Sequence, residues 1–530
     1  MIRISQVKLP AEHTPEELLK KAARMLRITP EEIREMNIRR QSLDARKKPE
    51  LFYSYTLDLK TTKDAEIVRK AKNTGVILCR EETYRCPDPG VVPLKNRPVV
   101  IGTGPAGLFC GLMLARCGYR PLLLERGGDV DARKQKVERF WQTGELDPES
   151  NVQFGEGGAG TFSDGKLNTL VKDPSMRNQL VLELFCEFGA DSEILYQNKP
   201  HIGTDMLETI VKNIRNEILR LGGEVRFDCQ VTDFMIRDGA IAGVVTEHGE
   251  TIGSDTVVLA VGHSARDTFE TLYRRKIPME QKAFAVGLRV QHPQKMINLS
   301  QYGREDAESL GAASYKLARQ TSSGRGVYSF CMCPGGWVVN ASSEPGRLAV
   351  NGMSDHARAG VNANSALIVT VTPQDFPDQT PLGGVAYQRE LERLAFQCAG
   401  GAIPVQLYED FKTGRTGKSL GDIEPQMKGA WSFGNLREIF PEPLSQALLE
   451  GMDGFGKMIR GFDREDAVFA GIESRTSSPL RIHRSETFES AVGGLYPCGE
   501  GAGYAGGITS AAMDGIKVAE AIIRRYAPVE

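Results

Sequence analysis

The sequence has no two cysteines at C-x-x-C spacing, although ten cysteines are scattered along its 530 residues. That disfavours a disulfide framework and makes a reducing cytoplasm the expected compartment. Seven histidines occur, none at H-x-x-x-H or H-E-x-x-H spacing, so no metal site is expected. Charge of one sign is also missing. Lys and Arg total 66 against 68 Asp and Glu, a formal net charge of −2. This excludes a globally basic nucleic-acid coat protein and an acidic tail protein. The opening stretch Met1–Lys21 lacks an apolar core followed by small residues, so secretion is not expected. One charge-free run, Pro98–Ala115, has 18 residues, near membrane-spanning length. Gly102, Gly104, Pro105, Gly107 and Gly111 interrupt it. It therefore reads as strand, tight turn and buried helix, and no membrane partner is expected.

Glycine is what the chain has in excess: 56 residues, against a usual share of roughly 7%. No collagen-like period accompanies it, so the surplus belongs to special turns. Residues 1–92 read as a small α+β module. Ile2–Leu9 is strand-like, and Thr14-Pro15-Glu16-Glu17 is a capping box with proline at the first helical position. Thr29-Pro30-Glu31-Glu32 repeats that signal and predicts a second short helix. Leu51–Leu59 is aromatic and β-branched, the composition of a strand. Cys86-Pro-Asp-Pro-Gly90 and Pro93 mark a linker. Residues 1–48 hold 12 Lys/Arg against 7 Asp/Glu. A solvated helical face accounts for this excess without a nucleic-acid partner; an RNA-contacting patch is the alternative.

From residue 93 the pattern becomes α/β. Buried strands at Pro98–Ile101, Pro121–Glu125 and Asp255–Val261 accompany helical periodicity over Thr204–Leu221 and a hairpin signal at Asp238-Gly239. Gly102-Thr-Gly104-Pro105-Ala106-Gly107 lies between the first strand and a helix. The spacing suits a dinucleotide: Gly102 for the tight turn, Gly104 for close approach of a pyrophosphate, Gly107 for helix–strand packing. The helix N-terminus presents free N–H groups to the phosphates. Glu125 ends the second strand, where it can accept from ribose hydroxyls and repel a 2′-phosphate.

A second glycine-rich strand–turn–helix lies near the C-terminus, at Leu495-Tyr-Pro-Cys-Gly499-Glu500-Gly501 and Gly506-Gly507-Ile508-Thr509. Together the two resemble the FAD-dependent oxidoreductases with a glutathione-reductase type of FAD domain. The resemblance implies FAD as cofactor. It implies that the segment at Gly499 and Glu500 contacts ribityl and pyrophosphate, with Glu500 standing where the family has Asp. It also implies that the helix starting at Ile508 points at the flavin pyrimidine. Arg126 after Glu125, and Gly262 after the strand Asp255–Val261, fit the same family. More narrowly, the chain resembles the bacterial FAD-dependent dehydrogenases, also described as NAD(P)/FAD-dependent oxidoreductases. The stretches that carry this are Phe154–Leu167, Gly262–Asp267, Phe330–Gly336 and Ser474–Pro479. The implied fold class is α/β: a three-layer Rossmann-like FAD-binding domain over 93–270 and 482–530, an inserted mixed α+β substrate-side domain over 271–481, and the N-terminal α+β module.

The segment Gly155–Lys166 is expected along the isoalloxazine, and it has no cysteine. That speaks against a glutathione-reductase-like dithiol there. Lys166 or Asp164 would sit near flavin N5 or the substrate; a solvated turn is the alternative. Other candidates for catalysis or substrate binding are His263, Arg266, Arg289, His292, Arg475 and Arg481. Arginine forks match a carboxylate bidentately, so a small anionic substrate is expected, with ordinary salt bridges as the alternative. Cys331 and Cys333 alternate on a strand and are expected on one face, as core or as a redox pair. No second strand-embedded G-x-G-x-x-G occurs, so NAD(P)H enters a shared cleft or the electron donor is a protein. The expected function is hydride transfer through flavin by a dehydrogenase or reductase. A flavin monooxygenase, or an RNA-associated flavoprotein using the basic module, is the alternative.

Overall fold

The computed structural model describes residues 1–71, 74–307 and 309–528; the expected boundary at 530 lies outside them. The aliphatic triplets Val99–Ile101, Leu122–Leu124 and Val257–Leu259 are central strands of a five-stranded parallel sheet. Its order is Leu495–Pro497, Val257–Leu259, Val99–Ile101, Leu122–Leu124, Glu224–Arg226. Alternation decides which layer each side chain joins. Val100, Leu123, Val258 and Tyr496 pack on the helices Pro105–Arg116, Thr204–Arg220 and Ile508–Arg525. Val99, Ile101, Leu124 and Leu259 pack on the antiparallel strands Val231–Arg237 and Ala240–Thr246. Covered on both faces, the strands need continuous apolar runs, which is what the sequence shows. The result is three layers: helices, parallel sheet, antiparallel sheet.

From Val99–Ile101 the chain crosses through the helix Pro105–Arg116 to Leu122–Leu124 on one side, while Val257–Leu259 sits on the other. The winding reverses between these two strands, and a crevice opens beyond their carboxyl ends.

A second unit is built on a seven-stranded, mainly antiparallel sheet with Phe284–Pro293 and Asn362–Val371 near its centre. Its core, from Phe284 to Ile472, is closed by the helices Gly383–Cys398 and Glu442–Gly456. The antiparallel ribbon Met279–Gln281 with Leu480–Ile482 joins it to the first unit. Residues 1–71 and 74–78 hold a four-stranded sheet and two helices around Ile2, Ile4, Leu18, Leu57 and Leu59. Several of its cations are paired within the module: Arg3 and Arg39 with Asp58, Lys8 and Arg46 with Asp44.

Two expectations fail. The capping box at Thr14 starts the helix Pro15–Leu26. The box at Thr29 yields only a single 3₁₀ turn, Pro30–Glu32, because the chain then joins the long strand Glu35–Lys47. Cys331 and Cys333 do not share a face by simple alternation. The strand Gly326–Cys333 slips register against Asn362–Val371 between Phe330 and Cys333, and Cys331 takes a left-handed φ of 42°.

Candidate functional site

The two glycine turns meet. Gly102 and Gly107 close the first one tightly: a Cβ on Gly107 would run into the Gly102 carbonyl. The helix Pro105–Arg116 begins at Gly104 with proline in its first turn and no side-chain cap. The helix Ile508–Arg525 begins at Gly507, φ 94°, also without a side-chain cap. Both therefore leave first-turn N–H groups without an intrahelical partner. Both turns line one cavity of about 360 Å³ at the winding reversal.

Bare backbone forms much of the wall. Nothing lies within 4 Å of where a Cβ would stand on Gly262, Gly506 or Gly507, and Gly104 would meet only the Gly158 Cα at 3.8 Å. Two uncapped helix starts and open glycine backbone suit a doubly charged pyrophosphate, through aligned dipoles and free donors. Residues fitting FAD would be Gly104, Pro105 and Ala106 at the pyrophosphate, with Glu500 and the Gly506–Ile508 turn beyond it.

Glu125 faces the cavity from the end of Leu122–Leu124, but protein donors already engage it. Its Oε2 accepts from Thr103 N–H (2.9 Å) and Thr103 Oγ1 (2.7 Å), and its Oε1 from Gly127 and Gly155 N–H (both 3.0 Å). Glu125 thus ties three loops together around the first turn. Arg126 lies over the Phe154 ring at 4.2 Å and donates to Glu149 at 2.7 Å.

Glu500 links the C-terminal turn to the middle loop. It accepts from Gly507 N–H (3.2 Å) and lies 3.4 Å from His263 Nδ1. Burial pushes its carboxyl up, but His263 and the Gly507 N–H outweigh this and hold it below its usual range. His263 Nε2 is buried on the cavity wall with no hydrogen-bond partner among the described residues.

Across the cavity, Asp164 is fixed by Arg358 and by the Ser354 hydroxyl, with Lys166 Nζ 3.5 Å away. Burial raises its carboxyl; Lys166, Arg358 and Ser354 together bring it below the ordinary range. Lys166 Nζ makes no hydrogen bond among the described residues although it is buried on the wall.

Several expected residues do not line the cavity. Gly107 is packed on Gly102. Gly499 N–H donates to Asp514 (2.7 Å). Thr509 Oγ1 donates to the Leu167 carbonyl (2.9 Å). Arg289 is fully buried and paired with Glu473 (2.5 Å). Arg475 does reach the wall, yet its fork is held by Glu392, as is that of buried Arg266. His292 is a core histidine, its Nε2 2.7 Å from the Phe462 carbonyl. Arg481, half exposed, lies 3.9 Å from Glu280.

Sequence reading missed the supports. Buried Arg133 donates to the carbonyls of Asn151 (2.9 Å), Val152 (2.9 Å), Glu156 (2.7 Å) and Gly158 (2.9 Å), clasping the loop that faces Gly104. Burial pushes its guanidinium down to about 10, so it stays charged at neutral pH. A lone arginine in an amphipathic helix carries no signal of such a role.

The C-terminal domain of FAD-dependent proteins matches residues 283–476, and a domain of unknown function matches residues 1–60. Solved structures similar to this chain include glycine oxidase from Bacillus cereus, 11% identical, covering 81% of this chain and 95% of that one, TM-score 0.36. Glycerol-3-phosphate dehydrogenase from Bacillus halodurans, complexed with FAD, is 13% identical, covering 81% and 64%, TM-score 0.35. A protein of Clostridium beijerinckii, described as uncharacterized, is 48% identical over 99% of both chains. Identity at that level over nearly the whole length places the two in one family, and the matched C-terminal domain makes that family one of FAD-dependent proteins.

Proposed function

We propose that the protein is an FAD-dependent oxidoreductase that moves a hydride, through flavin, to or from a small organic anion. The observation that carries this reading is one cavity at the winding reversal walled by both glycine turns and both uncapped helix starts. FAD supplies the hydride chemistry when bound; the protein supplies position and electrostatics. The helix start at Ile508 favours negative charge beside it, which suits a two-electron reduced flavin. Lys166 and His263 support the anion. On the same wall the buried His263 Nε2 has no partner among the described residues, and Lys166 Nζ makes no hydrogen bond there, with only the Asp164 carboxylate 3.5 Å away; a buried polar group with its hydrogen bonds unmade is costly until a ligand satisfies it.

The electron donor is NAD(P)H entering this cleft or a protein partner, and the compartment is the cytoplasm. The ten cysteines without C-x-x-C spacing support a reducing medium.

Purified protein is expected to be yellow and to take up one FAD. Gly104→Val fills the space beside the first helix start and abolishes that uptake, read by fluorescence titration. A colourless protein that takes up no FAD overturns the proposal. Anaerobic mixing with NADH and then NADPH identifies the donor by bleaching of the flavin.

A further inference from the structure

Of the two readings open for Cys331 and Cys333, core or redox pair, the register slip bears on the second. In a regular strand, residues two apart point the same way but stand about 7 Å apart, too far for their sulfurs to meet. Here the extra residue between Phe330 and Cys333, and the left-handed φ of Cys331, curl the chain. Cys331 comes onto the cavity wall with Lys166, Glu473 and Thr476. The Cys333 thiol donates to the Cys331 carbonyl at 3.3 Å, which folds the two residues against each other.

Arg289 sits underneath. It donates to the Cys331 carbonyl at 2.7 Å, lies 4.0 Å from Cys333 Sγ, and is anchored by Glu473 and Asn351. The neighbouring Cys333 thiol, Arg289 and Lys166 pull the Cys331 thiol down, against burial and Asp164. Glu473, also facing the pair, is itself pushed up by burial. Burial and the neighbouring sulfur raise Cys333 well above its usual range. The pair is asymmetric in place: Cys331 stands on the cavity wall and Cys333 is fully buried behind it.

The geometry points to Cys331 and Cys333 as a redox-active dithiol on the wall of the flavin cavity, with a small disulfide as its acceptor. The inference rests on the flavin reading above for its electron donor. The step balances. The Cys331 thiolate displaces one thiolate from an external disulfide and forms a mixed disulfide. Cys333 gives its proton to the departing thiolate and attacks Cys331 Sγ. The second external thiolate leaves, and the Cys331–Cys333 disulfide closes. Reopening it takes two electrons and one proton, the equivalent of a hydride, and returns one thiolate and one thiol. The donor class is a reduced flavin.

The test uses the full-length holoenzyme. Iodoacetamide labelling near neutral pH, read by peptide mass, is expected to modify Cys331 about tenfold faster than exposed Cys86. Oxidation with diamide is expected to remove two hydrogens from the peptide holding Cys331 and Cys333. Mapping separates that product from a Cys86–Cys117 link, whose sulfurs lie 3.4 Å apart. Anaerobic dithionite titration of the oxidised protein is expected to consume two more electrons than Cys333→Ser does, and the photoreduced protein to be reoxidised by 5,5′-dithiobis(2-nitrobenzoate). Cys331→Ser, nearly isosteric, should retain FAD and lose all of these. Yellow protein in which Cys331 labels no faster than Cys86, or no Cys331–Cys333 link forms, overturns the dithiol alone. Protein that binds no FAD overturns the flavin reading and removes the donor.

Discussion

Glu392 shows how single buried charges set the shape of this site. It is fully buried on the helix Gly383–Cys398 and receives Arg266 (2.7 Å), Arg475 (2.9 Å) and the Ser474 hydroxyl (2.7 Å). Burial alone would raise its carboxyl, but the two guanidiniums reverse this and hold it far below the ordinary carboxylate range. Arg475 is thereby spent on its partner, so its presence on the wall does not argue for substrate binding. Glu392→Gln leaves two buried cations short of a counter-charge. We expect it to cost about 3–5 kcal/mol near neutral pH, the range for breaking a buried pair, read as a drop in melting temperature. The sign with pH follows from linkage. A carboxyl depressed in the folded state adds stability that is complete above its unfolded pKa, about 4.3, and fades as the pH falls below it. The gap between wild type and Glu392→Gln should therefore narrow in acid. A gap that widens there would show that Glu392 is not ionised in the fold.

At the scale of elements, the site depends on two helices crossing closely. A Cβ on Gly515, in the helix Ile508–Arg525, would run into the Ala106 carbonyl in the first turn of Pro105–Arg116. Gly515→Val is expected to lower stability by about 1–3 kcal/mol through overpacking and to weaken FAD uptake with it, since it parts the two helix starts. Gly506→Ala meets nothing within 4 Å, so it should weaken FAD uptake while the melting temperature stays in place. Thermal melts paired with FAD titration separate the two outcomes. These crossings were legible in the sequence because local rules write them: a strand, a glycine turn at fixed offsets, then a helix. The supports were not. Arg133 reaches carbonyls 18 to 25 positions away, and Arg266 pairs with Glu392 across 126. Spacing rules have no purchase on partners chosen by tertiary packing. The edge strand Glu35–Lys47 was illegible for another reason. It has no fully buried side chain, and only Met36 and Ile38 pack against the module's core, too short an alternation to mark a strand of 13 residues. The register slip at Cys331 likewise left no trace in composition.

For the whole molecule, the question is what the N-terminal module does to the cavity. It has its own core and is not among the cavity walls. It docks on the chain just ahead of one wall: Gln41 N–H donates to the Tyr196 carbonyl (2.7 Å), Asn198 N–H to the Gln41 carbonyl (2.9 Å), and Arg40 to Asn198 Oδ1 (3.0 Å). Three residues on, His201 pairs with Lys166 in an isolated antiparallel bridge. The module thus steadies the segment that backs Lys166. The following linker is held separately, by Tyr84 on Glu520 (3.1 Å) and Gly90 N–H on the Ile523 carbonyl (2.7 Å). A chain starting at residue 81 keeps those ties and both glycine turns. Its FAD affinity is expected to stay within about twofold of the full chain, as for distant, uncoupled changes. The released segment should open more often, because exposed backbone with few partners is the first to do so. Chymotryptic cleavage after Tyr196 is therefore expected to accelerate in the shortened chain while flavin remains bound. Loss of the flavin on truncation would mean instead that the module is part of the cofactor site, and unchanged cleavage that it does not brace the Lys166 wall.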